Sequence, residues 1–148
     1  MHTTTIDNWK SATDLNMSNH VNHAVGYKYD NIKIVSKSPN TASTTYINAS
    51  PNTRELYLKV KGDLNSRVII SVSDLKLKKF FNFSTGKIQD NRKDFNTKYI
   101  AYTDGSMQQL RIPINLKGMD NPRIQVLFSS KSNDESVCEF YGYKLIAD

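Results

Sequence analysis

Glu55-Leu56-Tyr57-Leu58-Lys59-Val60-Lys61 decides the fold. Side chains of an extended strand alternate between two faces, so Leu56, Leu58 and Val60 share one side while Tyr57, Lys59 and Lys61 share the other. A period of two would scatter the same apolar residues around a helix; as a strand it gives one face for a core and one for water. Downstream, Gly62-Asp63-Leu64-Asn65-Ser66 has the length and composition of a hairpin loop. It leads into Arg67-Val68-Ile69-Ile70-Ser71-Val72, which puts Val68, Ile70 and Val72 in phase.

The pattern continues in both directions. Upstream, Asn31-Ile32-Lys33-Ile34-Val35-Ser36 and Thr44-Thr45-Tyr46-Ile47 are short strands closed by Ser38-Pro39-Asn40 and Ser50-Pro51-Asn52. Downstream, residues 97–102 form a strand that ends at the turn dipeptide Asp104-Gly105. Residues 107–116 alternate with Leu110, Ile112, Ile114 and Leu116 on one face, and Pro113 on the outer phase marks an edge or a bulge. Residues 123–128 and 137–146 complete the set, while 12–25 hold a short helix or irregular arm and 86–94 a turn. Short strands punctuated by turns point to an all-β sandwich or barrel.

With 148 residues the chain is one domain, able to bury about 70% of its unfolded surface without disulfide or metal. Cys138 is the sole cysteine, which excludes an intrachain disulfide and leaves the compartment open. Residues 1–7 show no basic region followed by an apolar one, and no apolar run approaches the roughly 20 residues of a membrane span. The expectation is a chain soluble when synthesised, with no membrane partner. Net charge is +6, but fifteen of the 20 basic residues are scattered lysines. Nucleic-acid surfaces favour clustered arginine forks, so no nucleic-acid partner is expected. The dense group Lys76, Lys78 and Lys79, beside Phe80, Phe81 and Phe83, reads as a lysine-protected strand edge or loop.

Chemistry is sparse. His20 and His23 stand three apart without the third and fourth ligands of a zinc site. Cys138 sits mid-strand, in phase with Phe140 and Gly142, as a small core residue rather than a thiolate. No G-x-S-x-G elbow or glycine-rich phosphate loop occurs, and the carboxylates fall mostly in turns, with no pair singled out. No catalytic residue, metal or cofactor is therefore expected, and the chain is read as a binder rather than an enzyme. The informative residues are Tyr57, Gln109, Arg111, Gln125 and Tyr141, all on the outward phase. Brought onto one face, they would offer rings to stack on sugar C–H faces, with amides and a guanidinium for hydroxyls. Exposed Tyr and Gln on a solvated sheet also occur with no ligand at all.

Three stretches carry a family likeness: Ser50 to Gly62, Phe95 to Leu116, and Cys138 to Ile146. Their order resembles that of the jelly-roll domains shared by carbohydrate-binding modules and many bacteriophage tail and baseplate proteins. The resemblance implies a two-sheet antiparallel β-sandwich of jelly-roll type, residues 27–148, preceded by an N-terminal arm, residues 1–26. It implies a non-catalytic module of a virus particle, in a phage tail or baseplate, that attaches to host cell-surface glycans. The alternative is a structural virion assembly or decoration protein whose sandwich and arm contact neighbouring subunits in a homo- or hetero-oligomer. Such modules often expose Trp on the binding sheet, whereas the sole Trp here, Trp9, lies in the arm. Some also hold structural calcium near both termini, where Asp7 and Asp148 stand. The expected core is Leu56, Leu58, Val60, Leu110, Ile112 and Ile114.

Overall fold

The computed structural model describes residues 9–18, 21–23, 31–90 and 97–148. Among them are strands β1 (Lys10–Ser11), β2 (Val21–His23), β3 (Ile32–Ser36), β4 (Ser43–Asn48), β5 (Thr53–Gly62) and β6 (Ser66–Asp74). They continue with β7 (Lys79–Asn82), β8 (Lys87–Gln89), β9 (Tyr99–Tyr102), β10 (Met107–Pro113), β11 (Arg123–Ser130) and β12 (Ser136–Ala147). One sheet runs β10-β5-β12-β3-β2, with β1 paired to β12. The other runs β4-β11-β6-β7-β8, with β9 paired to β6. Every pairing between these strands is antiparallel, and the two sheets form a sandwich of jelly-roll type.

The alternation of β5 sets the layers. Leu56, Leu58 and Val60 are fully buried, and the register puts Ile112 and Leu110 of β10 opposite Leu56 and Leu58. Val68, Ile70 and Val72 of β6 and Ile124, Val126 and Phe128 of β11 supply the facing layer. Phe128 and Phe140 meet between the sheets with ring centroids 5.1 Å apart. Full burial of such side chains stabilises by about 1.5–3 kcal/mol each. Of the expected core, Leu110 is only partly buried, because β10 is an edge strand. Pro113 closes that edge, where its missing N–H costs no ladder bond.

Three segments differ from the sequence expectation. Residues 87–89 form a strand paired with β7, not a turn: Asn82 Oδ1 accepts from Ser84 N and Thr85 N at 2.8 and 3.2 Å and folds the hairpin. Three- and four-residue strands are too short to show a period. Strand β10 ends at Pro113, and Ile114 and Leu116 reach the core from the loop that follows. Within residues 12–25, the described parts hold a 3-10 turn at Ala12–Asp14, capped by Ser11 Oγ, which accepts from Thr13 N at 3.2 Å, and the strand β2, which pairs with β3 where a helix or irregular arm is expected.

Strand β12 carries the feature that matters most for function. Its pairing with β5 shifts register between Phe140 and Gly142, leaving Tyr141 as a bulge. Beyond it the phase reverses, so Tyr143 and Leu145 lie opposite Leu58 and Leu56 and pack on the core. Gly142 and Lys144 then join the outer face.

Candidate functional site

The outer face of the first sheet is built in rows across β10, β5 and β12. Gln109 lies opposite Lys59, which lies opposite Gly142; Arg111 lies opposite Tyr57, which lies opposite Lys144; Pro113, Glu55 and Ile146 form the next row. Tyr57, Gln109, Arg111 and Tyr141 are thus brought together on one face. Gln125 is not. It lies on β11 in the other sheet, where its Oε1 accepts from Ser71 Oγ at 2.9 Å and its Nε2 donates to Tyr46 Oη at 3.4 Å. Alternation tells inside from outside but not which sheet a strand joins, and this is why the five residues read alike in the sequence.

Electrostatics order the face. Glu55 is nearly buried and accepts from Arg111 Nε and, at 3.2 Å, from Tyr57 Oη; Arg54 Nη1 lies 3.5 Å from its other oxygen. The hydrogen bond to Glu55 is the main cause that raises the Arg111 pKa, so its guanidinium stays charged. Tyr141 Oη donates to Glu139 Oε2 at 2.5 Å, which fixes the ring of the bulged residue.

The sequence misplaces Trp9. Two residues of the N-terminal segment pair as β1 with β12, Lys10 opposite Tyr143 and Ser11 opposite Gly142. That pairing carries Trp9 onto the outer face, where its ring meets Tyr57 edge-on with centroids 6.4 Å apart. The ammoniums of Lys59 and Lys144 lie 4.7 and 4.9 Å from the Trp9 centroid, within cation–π range. Gly142 makes this possible, since a Cβ there would collide with the Lys10 carbonyl oxygen. A sheet pairing only two residues long leaves no periodic signal; Gly142 within a strand pattern is the one hint of a close backbone approach. Trp9, Lys10, Ser11, Lys59, Met107, Tyr141 and Gly142 line a cleft of about 450 Å³.

His20 and Asp7, and with them the His20/His23 pair and an Asp7 ligand, lie outside the described residues. Asp148 pairs with Arg54 Nε at 3.1 Å. Among the described residues no group of three or more His, Cys, Asp or Glu is placed to hold a metal ion, and no helix is long and apolar enough to cross a membrane. Cys138 is buried, and burial pushes its thiol up to about 12. It is a core residue.

No protein-family model and no curated protein matches the sequence. Among solved structures, the chain is similar to a family 61 carbohydrate-binding module in complex with β-1,4-galactotriose. That match has a TM-score of 0.60 and 9% identity over 92% of this chain and 90% of that one. It is also similar to a family 36 module in complex with calcium and xylotriose, with a TM-score of 0.57 and 6% identity over 93% and 98% of the two chains. A family 36 module of a multidomain xylanase from the hindgut metagenome of Trinervitermes trinervoides aligns with a TM-score of 0.53 and 10% identity, over 95% and 96%. At these identities the likeness is one of fold: the chain has the jelly-roll sandwich of carbohydrate-binding modules.

Proposed function

We propose that the protein is a non-catalytic glycan-binding module that uses the outer face of its first sheet. The observation that carries this reading is the placement of Trp9 by β1 beside Tyr57, in a cleft shared with Tyr141. An indole and two phenol rings offer faces for sugar C–H groups, and Gln109, Arg111 and Lys59 supply donors for hydroxyls along the same rows. The ligands of the similar modules, galactotriose and xylotriose, accord with it. On a virus particle, in a phage tail or baseplate, such a module would attach the particle to host cell-surface glycans; the shared order of strands and turns supports that setting. A glycan array probed with the wild-type chain and with Trp9→Ala, Tyr57→Ala and Tyr141→Ala tests the site. Binding that survives all three changes overturns the assignment.

A second reading, an assembly contact within a virion, is favoured by the opposite face. There Leu127, Ile69 and Ile100 form an apolar row across β11, β6 and β9. Ile100 is 44% exposed and Tyr102, one row on, 52%. Light scattering decides it: an oligomer that Ile100→Lys converts to monomer supports the contact, and a wild-type monomer at high concentration removes self-assembly.

A further inference from the structure

We infer that the cleft selects acidic glycans, sugars bearing carboxylate, sulfate or phosphate, over neutral ones. This deepens the glycan-binding reading and rests on it. The register places Lys33, Lys59, Lys61, Arg111 and Lys144 on the outer face, with Glu55 and Glu139 as its carboxylates among the described residues. Both carboxylates are engaged. Glu55 holds Arg111, and Glu139 lies between Lys61 and Lys33 while accepting from Tyr141. Among the described residues, the cations that line the cleft beside Trp9 are Lys59, which approaches the ring, and Lys10. No carboxylate among the described residues lines that cleft.

Dielectric and geometry sharpen the preference. Lys59 is half-buried, with its ammonium 4.7 Å from the Trp9 centroid. An ammonium held against a ring is partly desolvated, so a ligand charge is attracted more strongly than in water. A neutral sugar accepts hydrogen bonds from Lys59 but returns no counter-charge to it or to Lys10. An acidic sugar stacks and neutralises at once. The cleft lined by Lys10 and Lys59 has a volume of about 450 Å³, suited to a few sugar units. A single-stranded nucleic acid needs a longer charged groove that tracks its backbone.

The test has two stages. An array carrying neutral, uronate, sulfated and phosphorylated glycans identifies the anionic group. Titration calorimetry then compares galacturonate oligomers with their fully methyl-esterified forms, and with single-stranded oligothymidylate, at low and high salt. The expected result is acid binding at least about tenfold tighter than ester, a gap that salt narrows. Lys59→Gln and Lys10→Gln, both at the cleft surface, should each weaken acid binding severalfold more than ester binding and so narrow the gap between the two. An array response confined to sulfated or phosphorylated sugars also supports the inference and names the group. Equal binding of acid and neutral sugars overturns the selectivity while leaving glycan binding intact. No response to any glycan overturns both readings, and tighter binding of the oligonucleotide overturns the inference in favour of nucleic acid.

Discussion

Trp9 and Tyr57 meet edge to face, 6.4 Å between centroids and 75° between planes, although 47 residues lie between them in the chain and β1, which Trp9 precedes, does not pair with β5, which carries Tyr57. Such a pair contributes about 0.5–1.5 kcal/mol beyond its burial. Trp9→Ala should therefore cost about 1–2 kcal/mol in urea unfolding and leave the fold intact. A loss nearer the 3–5 kcal/mol typical of removing a core Trp would show that the ring serves packing instead.

Gly142→Val tests how Trp9 is placed. Its side chain has no room beneath the Lys10 carbonyl, so β1 must lift from β12. The expected outcome is a red shift in the emission of the sole tryptophan together with loss of glycan binding. The far-ultraviolet dichroism of the sandwich should stay unchanged. Unaltered emission would mean that β1 does not depend on this approach.

Asp74 joins the turn after β6 to the loop before β11. Its carboxylate accepts from Asn121 N, Asp120 N and Leu77 N at 2.9, 2.8 and 3.2 Å, and the Asn121 bond foremost lowers its pKa below the ordinary 3.8. A folded-state value below the unfolded one adds stability above pH 3.8, which is lost as pH falls through the lower value. Asp74→Asn should cost about 1–3 kcal/mol at neutral pH. Denaturant midpoints should show the two proteins converging as the solution is acidified below pH 3.8.

Cys138 should be inert in the folded chain. With its thiol pushed up to about 12 and its side chain buried, reaction with a thiol reagent at about pH 8 requires unfolding. Labelling should be negligible in native buffer and complete in denaturant. Rapid native labelling would contradict the packing of β12 on the core.

What the sequence disclosed follows from what alternation encodes. The period of two in β5, β6, β10 and β11 separated core from surface, so Leu56, Leu58, Val60 and Ile112 were legible at once. It also put Tyr57, Gln109, Arg111 and Tyr141 on the outside. It said nothing about which strands become neighbours, and Gln125 fell on the far sheet. The bulge at Tyr141 was hidden as well: one extra residue reverses the phase of everything after it, moving Gly142 and Lys144 outward. Trp9 was the largest omission, because two paired residues and a glycine position it, and neither has a period to read.

The most direct test of the binding face is the fluorescence of Trp9 itself. It is the only tryptophan, it lines the cleft, and any sugar stacked there must change its surroundings. Titration with the glycans that score on the array should shift and quench its emission in a saturable way. The half-saturation point should match calorimetry, and Tyr141→Ala should weaken both together. Saturable binding by calorimetry with no change in Trp9 emission would contradict the account, because the ligand would then sit elsewhere.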